Sequence, residues 1–242
     1  ATTRAKVELL RAVRALDLGA DDTFLGQFGP SADGAQKGYL DDATVPEGSR
    51  CPTFAACVLR VDNARWRGVP FLLSAGKGLD ERLCEIRVRF KPQPFQARLL
   101  GTVGHNELVM RVQPDEAVYM VAHTKTPGLC AGREEEARSP VALGMRYATA
   151  FGDGSPFIAG DAYERMLLNA ARGDQTLSVS SAELVEAWRV FTPLLAQIDA
   201  ARPEPVRHAF GELPAGYAAW ARGHGIDVAR LGAAWDAKQA AA

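Results

Sequence analysis

Apolar residues recur at Val7, Leu10, Val13 (or Leu9 and Leu10) and Leu16 with Arg and Glu between them, a spacing that predicts a helix over Lys6–Leu18 stopped by Gly19. From about Gly26 to Arg50 the chain carries Gly, Pro, Ser and Asp with few strand signals, which predicts a long surface loop. The pattern then turns to β. Strands are predicted over Phe54–Val61, Val69–Ser74, Cys84–Phe90, Leu108–Gln113 and Ala117–Ala122, with a turn opened by Asp62 and Asn63. Cys84–Phe90 and Leu108–Gln113 alternate apolar with charged or polar residues, the mark of a strand with one wet face. The acidic run Arg133–Glu136 predicts a solvated loop. Beyond it, Asp161 caps a helix over Ala162–Arg172 closed by Gly173. Ser180 and Glu183 form a capping box for a helix running to Ile198, which Pro193 is expected to interrupt or kink. The alanine-rich tail, Tyr217–Trp235, predicts weak helix. Strands followed by helices, without regular alternation, predict an α+β fold on a large, mainly antiparallel sheet with flanking helices.

The 242 residues are 47% hydrophobic and 24% charged, enough to bury a core under a polar surface, which excludes a disordered tail. With 28 basic and 29 acidic residues the net charge is -1, so no long-range field draws nucleic acid or an anionic membrane. A local cationic pocket stays open. No apolar run approaches the ~20 residues of a spanning helix; Val69–Leu73 has the length of a buried strand, and a soluble chain is expected. The start at Ala1-Thr2-Thr3-Arg4, without Met or a leader pattern, reads as a processed product or a fragment. Cys51, Cys57, Cys84 and Cys130 form no C-x-x-C pair, so neither a zinc site nor a disulfide framework is expected. Each reads as a small buried or half-buried apolar residue in a reducing compartment.

Signatures of complete active sites are missing from these residues: no G-x-G-x-x-G at a strand–helix junction, no Walker loop, no H-E-x-x-H and no G-x-S-x-G. His105, His123, His208 and His224 sit in unrelated contexts and read as structural or surface residues. Two segments stand out. Lys77 lies between Gly76 and Gly78 at the end of a predicted buried strand, where an ammonium can hold a phosphate or simply sit solvated in a turn. Arg111 and Gln113 alternate around Val112 and are expected on one side of their strand, as ligands or as a polar sheet face.

These segments also carry a resemblance. Asn63, Arg65, Trp66 and Gly68 to Phe71, then Gly76-Lys77 with Leu79, Glu85 to Arg87 with Phe90, and Asn106 to Val109 with Arg111 to Pro114 and Glu116 are similar to the C-terminal domain of glucose-6-phosphate dehydrogenase. So are Lys37 to Asp42 with Thr44 to Pro46, Asp161 to Arg165, and Glu186 to Arg189 with Phe191 to Leu195. The resemblance runs over roughly residues 5–210, with 211–242 a divergent tail. It implies one C-terminal-type domain over 1–242 and no dinucleotide-binding domain within it.

By that resemblance Lys77 contacts glucose 6-phosphate and Gln113 supports it. Arg87, Arg111 and Tyr119 match positions lining a second, structural NADP site of some members. Ser74, Leu83, Met120 and Val121 stand where those members carry basic or hydroxyl groups, which predicts weak NADP binding, or binding only with a partner chain. No catalytic base and no metal ligand is expected, so the 242 residues alone should be inactive and need no cofactor of their own. The resemblance further implies self-association through the sheet. Two functional readings follow. One is the substrate-side and oligomerisation domain of a glucose-6-phosphate dehydrogenase, completed by a separate coenzyme-domain chain. The other is a degenerate domain recruited as a structural subunit of a larger assembly. Either fits the cytosol or the interior of a plastid or mitochondrion.

Overall fold

In the computed structural model, residues 2–91, 105–125, 138–152, 162–175 and 178–229 are described. The expected Asp161 cap, the acidic run Arg133–Glu136, Cys130 and Trp235 lie outside the described residues. The chain divides into two compact units. The first comprises Ala1–Glu81 with Asp161–Val228, and the second Arg82–Gly160 with Ala229–Ala242.

The first unit is built on a four-stranded sheet in the order β3-β2-β1-β8, where β1 is Thr23–Phe28, β2 Phe54–Arg60, β3 Pro70–Gly76 and β8 Val206–His208. All neighbours are antiparallel except β1 and β8. β2 is covered on both faces, which explains its nearly continuous apolar run. On one side Cys57 joins Val13, Leu16, Val61, Val190 and Leu194. On the other, Phe54 and Ala56 pack with Tyr217. Each such large aliphatic or aromatic side chain stabilises the unit by about 1.5–3 kcal/mol when fully buried.

Helix α1 (Thr2–Arg11) ends about two turns before the expected Leu18. Tertiary partners override the periodicity there. Val13 bridges Val61, and Leu16 N–H donates to Val190 C=O at 3.0 Å. The Arg189 guanidinium takes the carbonyls of Leu10 and Val13, both at 2.8 Å, supplying donors that a longer helix would have provided. Gly19 therefore sits in a short 3-10 turn, Leu18–Ala20, capped by Asp17. The predicted loop also begins later than expected, at Gly29. Gly26 to Phe28 belong to β1, because Gly26 lets Phe54 and Pro214 approach where a Cβ would lie 3.2 and 2.8 Å from them.

The remaining helices of this unit are α3 (Ala162–Arg172), α4 (Ser181–Ala201) and α5 (Tyr217–Gly223). Gly173 closes α3 at φ 70°. Ser180 and Glu183 cap α4 reciprocally: Ser180 Oγ accepts from Glu183 N–H, and the Glu183 carboxylate accepts from Ser180 N–H at 2.9 Å. Pro193 does not end α4, which runs for 21 residues. Buried Val190 and Leu194 on either side hold it against the core and offset the lost backbone bond.

The second unit is an antiparallel sheet in the order β4-β5-β6-β7: Cys84–Arg89, Glu107–Gln113, Ala117–Lys125 and Arg138–Arg146. A short helix α2 (Tyr147–Phe151) follows. The architecture is thus the expected α+β with mainly antiparallel strands and flanking helices, the strands being shared between two sheets of four.

Candidate functional site

Lys77 follows directly on β3, and its side chain is exposed. Its position is set by the β2–β3 hairpin. Phe54 pairs with Gly76, and a Cβ on Gly76 would lie 2.7 Å from the Phe54 ring, so the strand end lies flat on that ring. Lys77 N–H then donates to Thr53 C=O at 2.9 Å. The motif at the other end of the hairpin is structural. Asn63 Oδ1 accepts from the N–H groups of Arg65 and Trp66 at 3.1 and 2.8 Å, and the Trp66 ring packs edge to face on Phe71 at 5.3 Å.

The Lys37–Pro46 stretch likewise folds a loop. Asp41 accepts from Gly38 N–H at 2.7 Å, and a Cβ on Gly38 would meet the Gly29 backbone at 2.7 Å. Thr44 donates from its hydroxyl and backbone to Asp42, which lowers the Asp42 carboxyl below its ordinary range. Buried Gln27 closes the loop by donating to the carbonyls of Ser49 and Cys51.

Gln113 is exposed at the end of β5, opposite Cys84 and beyond a register shift between Cys84 and Glu85. Lys77 belongs to the first unit and Gln113 to the second. Arg111 is buried although Gln113 is not, so the two do not share one environment.

Arg87, Arg111 and Tyr119 come together on one face of the second sheet. The register Arg87↔Val109↔Tyr119 and Glu85↔Arg111 places them there. Arg111 Nη2 donates to Tyr119 Oη at 3.4 Å, with its guanidinium carbon 5.8 Å from the ring centroid. Tyr119 lies across the strand from Gly144, where any Cβ would collide with it.

This face also holds carboxylates. Glu85 accepts from Arg87 at 2.5 Å and faces Arg111 Nε at 3.9 Å. Fully buried Glu107 accepts from Arg89 at 2.6 Å and lies 3.6 Å from Arg87. Ala229 C=O accepts from Arg87 and Arg89 at 3.5 and 3.2 Å. Three guanidiniums thus face two carboxylates, and a polyanion would have to displace those pairs. The donor set fits a dinucleotide phosphate poorly as it stands.

β4 has one more exposed face, as its alternation predicts, and that face is the apolar one. Glu85, Arg87 and Arg89 are on the more covered side, whereas Ile86 is 55% exposed and Val88 and Phe90 are exposed with it. The register extends this apolar face across all four strands. One row is Ile86–Met110–Val118–Met145 and the next Val88–Leu108–Met120–Leu143, with Leu143 64% exposed. Alternation signalled two unlike faces but not which one meets solvent. Glu107 and Arg89 carry no sequence signal as partners for the same reason, since only register brings them together.

The cysteines differ from expectation too. Cys57 is buried, and burial pushes its thiol up, but Cys51 and Cys84 are exposed, one in the loop before β2 and the other at a strand end. Among the described residues no group of three or more His, Cys, Asp or Glu is placed to hold a metal ion. None of the described helices is long and apolar enough to cross a membrane.

A family model described as glucose-6-phosphate dehydrogenase, C-terminal domain, matches residues 1–225. The chain is 42% identical over 207 residues to glucose-6-phosphate 1-dehydrogenase of Hanseniaspora uvarum, covering 85% of this chain and 39% of that protein. It is 43% identical over 213 residues to a chloroplastic glucose-6-phosphate 1-dehydrogenase of Solanum tuberosum, with coverage of 85% and 35%. A solved glucose-6-phosphate dehydrogenase in complex with its substrate glucose-6-phosphate superposes with TM-score 0.81 at 35% identity, covering 95% of this chain and 46% of that one. The enzyme from Mycobacterium avium gives 0.71 at 25% identity, with 91% and 42% covered. The chain therefore spans less than half the length of the relatives it matches, always over their C-terminal-domain fold, and it belongs to the glucose-6-phosphate dehydrogenase C-terminal domain family.

Proposed function

We propose that this chain is the substrate-side and oligomerisation part of a glucose-6-phosphate dehydrogenase and is not catalytic by itself. The observation that carries the reading is the Lys77 turn. A family-matched ammonium is held exposed at a strand end, pinned by Thr53 and flanked by Gly76 and Gly78, in a chain whose relatives act on glucose 6-phosphate. Lys77 contacts the phosphate of the sugar. Hydride transfer needs a base on the sugar hydroxyl and a nicotinamide held against it; these come from a coenzyme domain, on the same or a separate chain.

The two apolar rows of the second sheet make it the self-association surface. A contiguous exposed patch of this kind marks an interface more often than a solvated face. NADP binds weakly at Arg87, Arg111 and Tyr119, because Glu85 and Glu107 already hold the guanidiniums of this face. That neutralisation is also what favours the second reading, a domain kept as a structural subunit of a larger assembly. The three described cysteines are free thiols, which fits a reducing compartment.

The test is turnover. The purified 242-residue chain, given glucose 6-phosphate and NADP, is expected to form no NADPH above buffer. NADPH formation that tracks the purified chain and disappears in Lys77→Ala would overturn the reading.

A further inference from the structure

Lys77 is held from two sides, and the second comes from the segment that follows β8. Before it, Lys77 N–H donates to Thr53 C=O, and Thr53 Oγ1 accepts from Phe28 N–H at 2.9 Å. After it, Gly78 adopts φ 64° and lies against two rings. A Cβ there would stand 2.8 Å from Phe28 Cγ and 3.1 Å from Phe210 Cδ2. Those rings pack edge to face at 5.6 Å. Gly78 C=O accepts from Gly211 N–H at 2.9 Å.

The segment that makes these contacts is itself anchored. β8 pairs with β1 through Phe28↔His208, Gly29 N–H donates to His208 C=O at 2.7 Å, and Phe210 N–H donates to Pro30 C=O at 3.3 Å. All of these residues belong to the first unit. A lysine stem is flexible, so the fold can fix only the direction in which it leaves the backbone, through the peptides on either side. Loosening one of them spreads the ammonium over a larger volume, and a ligand must then supply the ordering free energy.

We propose that Phe210 and Gly211 clamp the Lys77 turn and are positioning residues for the phosphate ester that Lys77 receives. The ligand half of this rests on the assignment of Lys77 to glucose 6-phosphate made above; the clamp itself does not.

The full 242-residue chain tests the two halves separately. Amide exchange at Lys77 reads the clamp. The ¹³C signal of dimethylated Lys77, identified by its loss in Lys77→Arg, reads titration with glucose 6-phosphate. Phe210→Ala is expected to speed exchange at Lys77 by about tenfold, the scale of freeing one backbone residue, while ladder amides at Cys57 and Leu73 keep theirs. The same variant should weaken the glucose 6-phosphate response at Lys77 by about fivefold, with Phe210→Leu between it and the parent.

Parent-like exchange at Lys77 in folded Phe210→Ala overturns the clamp; if that variant does not fold, parent-like exchange in Phe210→Leu does so. Accelerated exchange with unchanged affinity overturns the positioning role. A parent Lys77 signal that ignores glucose 6-phosphate, with exchange still accelerated in Phe210→Ala, overturns the ligand assignment and leaves the clamp standing.

Discussion

Replacing Met120 with Glu puts a charge in the middle of the apolar sheet face. Met120 lies on β6, between Leu108 of β5 and Leu143 of β7, and is 41% exposed. Burying a whole Met side chain stabilises by about 1.5–3 kcal/mol, so covering this fraction contributes roughly 0.6–1.2 kcal/mol per protomer. In a twofold contact the residue counts twice, giving about 1.2–2.5 kcal/mol, or roughly tenfold to several tens of fold in the dissociation constant. A carboxylate desolvated without a partner adds to that loss. Sedimentation velocity over a concentration series is the assay, with the melting temperature as control, because an exposed position should leave the fold of the unit intact. Met120→Glu is expected to be monomeric at concentrations where the parent is dimeric, with the same melting temperature within a few degrees. Equal association of parent and variant, or a parent that stays monomeric at every concentration, would refute the reasoning.

Three further outcomes follow from the same contacts. Gly144→Ala places a Cβ against the Tyr119 backbone and side chain, leaving no flexible neighbour to yield, and should destabilise the second unit by more than about 2 kcal/mol in chemical denaturation; a loss under about 0.5 kcal/mol contradicts that packing. Glu107→Gln removes one of the two carboxylates facing Arg87 and Arg89, so NADP affinity measured by calorimetry should rise by about tenfold or more, the Coulomb scale of one charge within about 12 Å at an effective dielectric of about 20. No gain would mean that the guanidiniums are not what limits binding. Glu183 is lowered by Ser180 N–H, the Ser180 hydroxyl and Lys6, and Glu186 by Arg189 and Arg11. Both hold α1 to α4 as carboxylates, so their contribution is present above the ordinary value of 4.5 and is lost as pH falls below it. The melting temperature of a Glu183→Gln, Glu186→Gln double variant should therefore depend less on pH below about 4.5 than the parent's does. Parallel curves would count against the account.

How much was legible in the sequence depended on whether the cause was local. The Ser180 and Glu183 box and the close of α3 at Gly173 are set by neighbours within a few residues, and each appears where the pattern put it. The end of α1 was hidden because its decisive partner, Arg189, is far along the chain and donates to carbonyls that no helical period can see. The faces of β4 were hidden for a related reason. Alternation separates Glu85, Arg87 and Arg89 from Ile86 and Val88, but Glu107 arrives only through the β5 register, and it is Glu107 that lets the charged side be the covered one. Of the site, Lys77 was visible from its glycines and its family match, while the Phe210 and Gly211 contacts to Gly78 join segments with no sequence signal in common.

The central claim is that these residues are one part of a glucose-6-phosphate dehydrogenase. The most direct test is to isolate the assembly that contains the chain from its native source, measure its intact mass and identify every component by peptide mass spectrometry. A compact oligomer that includes a glucose-6-phosphate dehydrogenase coenzyme domain, on the same or a separate polypeptide, is the predicted result. A large assembly of unrelated proteins without such a domain would contradict the claim and make the chain a recruited structural subunit.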